Sequence, residues 1–498
     1  MKAHLLYADE DLDWSAKPFE THPDLVRDLD IETVVDAMAS NDPYLYEIAA
    51  NALLIRLTDV DQITYRQHVV SDCLRYPKEI RALYDLVAHA TDSKRRLRMR
   101  LFGDSPSSVL SRSISLLTDL TDHLEELRRY GATTAGRFES EALRSLFAQV
   151  DHDLDDVYVA TVKDHLRGLE LPNGVFMTAE LDDECQGTNY VLHKPASVRR
   201  TWRDLLRFGR QPGVFTYRIP ERDENGARTL SGIKDRGLSQ VADSAAQSAD
   251  HVLDFFNVLR GELAFYVGAL NLYERLDQSA LPVCFPGPRP LGDSALQASD
   301  LRDVSLGLRV PTPLVGNDLV ADDKSLVMVT GANQGGKSTF LRAVGLAQVM
   351  MQAGLFVAAR SFTSSVSKTV FTHFRREEDS GMHRGKLDEE LQRMSDIVDA
   401  LETPAMLLCN ESFACTNERE GSDIARTIVR ALQESGTRVC YVTHMFELSN
   451  GLARQGCESD LFLRAQRLAD GRRTFKIVEG LPESTSYGRD LYAQVFAR

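Results

Sequence analysis

The sequence predicts an α/β domain built on a largely parallel sheet, preceded by a mainly α-helical region that carries a small β insert. Three observations predict it. From about Leu301 onward, short and almost wholly apolar runs, "SLVMVTG", "AMLLCNE" and "TRVCYVTH", alternate with helical patterns. Runs of that kind suit strands buried on both faces. A glycine-rich loop joins the first run directly to a helical pattern, and upstream of the proline-rich "PVCFPGPRPLG" most apolar residues recur at helical spacing.

A chain of 498 residues fits two or three domains. Its 43% hydrophobic and 26% charged residues are those of an ordinary globular protein. No apolar stretch approaches the roughly 18 residues of a membrane span, and the start turns acidic too soon for a secretory signal. A cytoplasmic protein is expected. Seven cysteines, none in a C-x-x-C pair, argue against zinc and against a disulfide framework. The net charge of −15 does not favour nucleic acid as a partner, so any such binding needs a local basic patch.

The first segment, 1–130, reads as helices from Ile31. Asp30 is an N-cap candidate for "IETVVDAM". Leu110, Ile114, Leu117 and Leu124, widened by Leu116, Leu120 and Leu127, form the stripe of a long amphipathic helix that Gly131 is expected to end. The second segment, 131–285, opens helical and changes character over about 173–220. There "GVFMTAEL", "TNYVLH" and "VFTYRI" read as strands, and "PERDENGAR" reads as an exposed turn. From Leu238 to Leu276 the helical period returns as one long helix or two nearly continuous ones. Four prolines in "PVCFPGPRPLG" read as a linker, so the α/β domain is placed at 286–498.

Within that domain, Gly331, Gly336, Lys337 and Ser338 fit G-x-x-x-x-G-K-[ST], with a strand before and a helix after. Glycines let backbone wrap phosphate oxygens, and a helix start offers free N–H groups and a positive dipole end. Residues Gly331, Ala332, Asn333, Gln334, Gly335, Gly336, Lys337, Ser338 and Thr339 therefore form a nucleotide-binding candidate. Lys337 would reach the β- and γ-phosphates and Ser338 would bind Mg²⁺, making ATP and Mg²⁺ the expected cofactors. Asn410 and Glu411 end the second apolar strand. Glu411 is the candidate to orient or deprotonate water. Asn410 could hold Mg²⁺ through a water, more weakly than a carboxylate. Thr443 and His444 end the third strand, and His444 is a second catalytic candidate; either strand end could also be inert.

These pieces together resemble the MutS family of ATPases. "VTGANQGGKSTFLRAVG", "LVGNDL", "NESFACTNEREGSDIA" and "RVCYVTHMFEL" are similar to that family's motifs, and weaker similarity extends to 59–86 and 249–276. The resemblance implies an ABC/MutS-like P-loop ATPase domain behind a helical lever region. It implies that Asn317 borders the nucleotide base or ribose, and that ATPase domains pair as a homodimer. It also implies a signature loop completing the partner's site, here "REEDSGMHRGKLDEEL", with Arg384, Leu387 and Glu390 in register and Gly385 and Lys386 replacing serine and threonine. Lys386 could carry a charge to the γ-phosphate across the dimer. The family's mismatch-reading wedge, Phe-x-Glu, has no counterpart in a comparable setting in the first hundred residues, and the C-terminal stretch leaves no room for a nuclease-like tail. The expected role is a slow ATPase associated with branched or non-standard DNA. The alternatives are a clamp on RNA, ribosomes or a protein, and a largely non-hydrolysing switch prompted by Asn410.

Two basic clusters stand against the acidic background, Ser93–Arg100 and Lys194–Gln211. In the second, Arg200, Arg203, Arg207 and Arg210 share one helical face, opposite Val198, Trp202, Leu205 and Leu206. Such a face either presents arginines to phosphates or is solvated and paired with acidic neighbours.

Overall fold

The computed structural model describes residues 1–11, 22–98, 105–172, 174–184, 187–193, 218–220, 222–310, 312–376, 385–468 and 471–483, with the side chains of 93–98 excepted. Among the described residues, these α-helices come first: α1 (Pro23–Asp28), α2 (Ile31–Ala39), α3 (Pro43–Leu54), α4 (Val60–Arg75), α5 (Pro77–Arg98), α6 (Pro106–Thr134), α7 (Glu141–Asp153) and α8 (Asp156–Leu169). A hairpin follows, β1 (Phe176–Leu181) and β2 (Gly187–His193), then the 55-residue helix α9 (Glu224–Gln278). The rest alternates strands and helices: β3 (Gly287–Arg289), β4 (Leu296–Leu301), α10 (Val304–Arg309), β5 (Asn317–Val320), β6 (Leu326–Thr330), α11 (Lys337–Gln352), β7 (Ser361–Ser365), β8 (Thr369–Phe374), α12 (Lys386–Asp399), β9 (Ala405–Asn410), α13 (Glu418–Glu434), β10 (Thr437–Val442), α14 (Phe446–Gln455), β11 (Asp460–Arg467) and β12 (Arg473–Glu479). The chain is thus a mixed α/β protein with a mainly helical first half.

Two compact units emerge. One holds 1–3, 82–136 and 146–260. Its core is Leu110 and Ile114 of α6 against Leu238, Ala242 and Ala245 of α9, with Leu192 of the hairpin packed beside them. The other holds 4–81, 137–145 and 261–498. Its main sheet has the order β12-β11-β6-β10-β9-β8, parallel except for β12, and a second sheet has the order β3-β7-β4-β5. The three apolar runs are β6, β9 and β10. Every residue of β6 is buried, as a strand covered on both faces requires. One layer of core places Leu326, Met328, Leu407, Val439 and Tyr441 against Met394, Val429 and Leu448 from α12, α13 and α14.

Helix α11 is buried almost throughout, including Gln348 and Gln352. Both amides are satisfied: Gln348 Nε2 donates to the Ser365 carbonyl (3.0 Å), and Gln352 Nε2 donates to the carbonyls of Leu57 (2.9 Å) and Ser367 (2.8 Å). Buried polar groups with full partners fix one seating of a helix rather than weakening it. At the helix end, fully buried Arg66 of α4 donates to the carbonyls of Leu6 (2.8 Å) and Ala353 (3.4 Å). The N-terminal segment is locked there as well, since Leu5 N–H donates to Glu262 at 2.7 Å.

Several local expectations change. Asp30 precedes α2 but has a left-handed backbone and caps no backbone N–H; its carboxylate accepts from the Thr33 hydroxyl at 3.0 Å and from Arg309 at 2.5 Å. Gly131 does not stop its helix, which runs on to Thr134. It is a close-packing position, because an added Cβ would lie 2.5 Å from Cδ1 of Phe147. The "PERDENGAR" turn is short, and α9 starts inside it at Glu224, with Asp223 accepting from Gly226 N–H at 2.9 Å. "PVCFPGPRPLG" is woven into the fold: Cys284 exchanges both backbone hydrogen bonds with Val357, and β3 pairs with β7. A strand containing Pro288 is tolerated because β3 lies at a sheet edge. "VFTYRI" lies largely outside the described residues. Among the described residues, no helix is long and apolar enough to cross a membrane, and the cysteines are free thiols.

Gly131→Ala is expected to destabilise the protein by about 1–3 kcal/mol through overpacking against Phe147, read as a lower thermal midpoint. Adding Phe147→Leu should recover part of that loss; an unchanged midpoint in the single variant contradicts the packing assignment.

Candidate functional site

The parallel sheet brings three strand ends to one edge. Register sets Val442 of β10 level with Val329 of β6 and with Asn410 of β9. The bonds one residue further on continue that row, with Thr443 N–H donating to the Val329 carbonyl (3.1 Å) and Glu411 N–H to the Val442 carbonyl (2.9 Å). The loop 331–336, Glu411 and His444 therefore meet at the carboxyl edge of the sheet, where open α/β sheets hold ligands.

The loop needs its glycines. Gly331 (φ 108°) and Gly336 (φ 90°) are left-handed, and Gly336 is the residue before α11. Carbon added at Gly331 would touch the backbone of Ala465 at 3.0 Å. Asn333, Gln334 and Ser338 are exposed, Thr339 is half-buried, and Ala332, Gly335 and Lys337 are buried. Gln334 is left-handed too (φ 58°), and its amide oxygen accepts from Arg473 of β12 at 3.0 Å. Lys337 Nζ donates to the carbonyls of Gly331 (2.9 Å) and Ala332 (3.1 Å). Burial pushes the Lys337 pKa down; Glu411 opposes this and Arg473 adds to it.

Ser338 Oγ donates to Asn410 Oδ1 at 2.9 Å, so the first helical hydroxyl and the end of β9 touch directly. A hydroxyl and an amide oxygen side by side are hard donors that suit a divalent cation sharing its shell with water and phosphate. Among the described residues, no cluster of three His, Cys, Asp or Glu forms a self-sufficient metal cage. By its donor atoms, the Ser338–Asn410 pair fits Mg²⁺ held jointly with a phosphate ligand.

Glu411 is left-handed (φ 56°), which costs a non-glycine residue about 1–3 kcal/mol. Its carboxylate accepts from His444 twice, from the backbone N–H (3.1 Å) and from ring Nδ1 (2.5 Å). The hydrogen bond to Glu411 raises the His444 pKa against partial desolvation. Such a pair can hold a water and take up its proton.

Other expected residues fall elsewhere. Asn317 is buried, and its amide is occupied by the β12 backbone: Ile477 N–H donates to Oδ1 at 2.7 Å and Nδ2 donates to the Phe475 carbonyl at 3.4 Å. It anchors β12 through those bonds. Gly385 is the residue before α12, and Lys386 is its first residue. Arg384 lies outside the described residues, as do Arg200, Arg203, Arg207 and Arg210 and the side chains of the Ser93–Arg100 cluster. Arg473 and half-exposed Phe475, whose Cα lies 3.7 Å from a Cβ placed on Gly336, were not legible as site residues. Nothing local in "RRTFKIVEG" says that β12 lies beside the glycine loop.

Two family models match the chain, the MutS2 N-terminal domain over residues 58–279 and MutS domain V over residues 327–494. The DNA mismatch repair protein MutS 2 of Haloarcula marismortui is 26% identical over 494 residues, covering 87% of this chain and 50% of its own. The DNA mismatch repair protein MutS of Thermotoga neapolitana is 31% identical over 184 residues, covering 36% of this chain and 23% of its own. Human MutS protein homolog 4 is 25% identical over 183 residues, covering 35% of this chain and 20% of its own. The chain thus spans half or less of the length of these relatives.

The Glu411–His444 pair gives a titration that needs no ligand. With the folded pKa raised above 6.5, the pair's stabilisation is present below the ordinary imidazole value and is lost as pH rises through the raised one. By NMR, His444 should titrate above 6.5, and Glu411→Gln should bring it back down. A His444 unaffected by Glu411→Gln contradicts the pairing.

Proposed function

The chain belongs to the MutS family, and on that premise we propose that it is a slow, dimeric, DNA-associated ATPase acting on branched or otherwise non-standard DNA. The observation that carries this reading is the convergence of Lys337, the Ser338–Asn410 contact and the Glu411–His444 pair at one sheet edge. In this reading 286–498 is an ABC/MutS-like P-loop ATPase domain, 131–285 a lever region and 1–130 a helical core segment. The protein works in the cytoplasm.

The N–H groups at the start of α11 receive the nucleotide phosphates, and Lys337 turns from the loop carbonyls to the β- and γ-phosphates. Ser338, with Asn410 through a water, would hold Mg²⁺, which when bound would neutralise charge on those phosphates. Glu411 orients the attacking water and accepts its proton, and His444 fixes the carboxylate. Lys386, at the start of α12, offers a charge to the partner's γ-phosphate in a homodimer. DNA contacts fall to Arg200, Arg203, Arg207 and Arg210, with the phosphate backbone and duplex shape recognised rather than base edges.

Asn410 favours a second reading, a nucleotide switch with little turnover, because a neutral amide holds Mg²⁺ less tightly than a carboxylate. Asn410→Asp is expected to lower the Mg²⁺ concentration for half-maximal nucleotide binding by about tenfold; no change refutes Asn410 as a metal-facing residue.

Glu411→Gln should bind ATP normally and stop turnover, while Lys337→Ala should lose ATP. The Glu411→Gln chain, held in ATP, should retain branched DNA over RNA, and retention should weaken steeply with salt. Preference for RNA or for a protein overturns the DNA assignment. A parent chain that turns over no faster than Glu411→Gln establishes the switch.

A further inference from the structure

The residue that aims at water sits on an unusual turn. Glu411 and Phe413 are both left-handed, with φ of 56° and 60°. Neither is glycine, so the turn persists only because its surroundings over-determine it. Three elements do so. Tyr441 of β10 donates its hydroxyl to the Ser412 carbonyl at 2.6 Å. His373 of β8 meets the Ser412 hydroxyl through Nδ1 at 2.8 Å, and its ring stacks on Phe413.

The third element is α12, and it acts through one residue. Glu390 is buried, and its Oε2 accepts from the Phe413 N–H at 2.7 Å and from the Cys415 thiol at 3.5 Å. Its main-chain carbonyl faces His373 Nε2 at 3.0 Å. A carbonyl only accepts, so a ring proton sits on Nε2, and the Ser412 hydroxyl, beside Nδ1, donates to the His373 main-chain carbonyl at 2.6 Å. Burial drives the His373 pKa down to about 4, in keeping with a neutral ring. Glu390 thus holds the turn at both points, directly at Phe413 and through His373 at Ser412.

We infer that Glu390 is a positioning residue for hydrolysis, setting the direction of Glu411 by clamping residues 412–413 from α12. The clamp makes turnover depend on the seating of α12 without touching the phosphate loop. This inference rests on the ATPase reading above.

The test uses the full chain with Glu390→Met, which keeps volume and loses the acceptor, and Glu390→Gln, which keeps an acceptor oxygen for Phe413. Ser412→Ala, a minimal deletion, removes the second tie and covers the case in which Glu390→Met does not fold. Glu390→Met should lower kcat by about tenfold or more, as a displaced catalytic group does. Its Kd for a fluorescent ATP analogue should stay within about twofold, since an effect confined to the chemical step leaves binding alone. Ser412→Ala should show the same split more weakly, and Glu390→Gln should recover most of kcat. Unchanged kcat in Glu390→Met and Ser412→Ala, a parallel loss of nucleotide affinity, or a Glu390→Gln chain as slow as Glu390→Met overturns the inference while leaving the ATPase reading intact. A parent chain that binds ATP without turnover overturns the hydrolysis reading and this role with it.

Discussion

The register of three parallel strands is the constraint on which the site depends. Asn410, Val442 and Val329 share one row of the sheet. Each strand then runs one or two residues further into Glu411, His444 or the phosphate loop. Side chains alternate with a period of two, so a slip of one residue in any of these pairings would turn its terminal side chain to the opposite face. The buried apolar sets of β6, β9 and β10 prevent that slip, because a shifted strand would exchange its core contacts on both faces. The functional geometry is therefore a by-product of hydrophobic register.

Register fixes where the strand ends lie but not how their side chains point. That is settled by polar groups in the interior. The phosphate-loop helix α11 is held by amide hydrogen bonds from Gln348 and Gln352 and by Arg66 at its far end. The turn after β9 is held in a left-handed path by Tyr441, His373 and Glu390. These groups sit in the same compact unit as the sheet, and each is buried. Removing one partner leaves the other desolvated and unpaired, a larger penalty than the bond's own net contribution. Strain at Glu411 can thus be maintained next to solvent.

Much of this was legible in the sequence. The three buried strands, the phosphate loop and the helices of the first segment follow from apolar period and from glycine placement. The hairpin followed from aromatic and β-branched runs. What was not legible is the set of contacts between residues distant in sequence. Gly131 looked like a stop because a glycine after an apolar stripe often is one, and only the ring of Phe147 explains it. Asp30 looked like a cap, yet Thr33 and Arg309 take its carboxylate. Proline-rich 282–292 looked like a linker because the pairing partner of β3 lies some seventy residues on, in β7. Asn317 was expected to border a nucleotide; its amide holds the backbone of Phe475 and Ile477, which local pattern could not bring there.

The charges around the loop give the departure at Asn410 a physical meaning. Lys337 feels Glu411 and Arg473 with opposite sign, Arg473 donates to Gln334 of the loop, and Glu411 is hydrogen-bonded to His444. A carboxylate at position 410 would add a second negative charge beside Ser338, useful for holding a cation but repulsive to a phosphate arriving without one. With an amide there, the protein's own field favours the polyanion more and the cation less. Nucleotide capture and cation capture are then less tightly linked, and the cation depends more on oxygen atoms that the nucleotide itself brings. In the proposed reading the water-handling group is Glu411, one residue further along, and the separate tie from α12 leaves it in place. On that reading, nucleotide binding and turnover respond to different parts of the chain, the first to β12 and the glycine loop, the second to α12 and the turn that it holds.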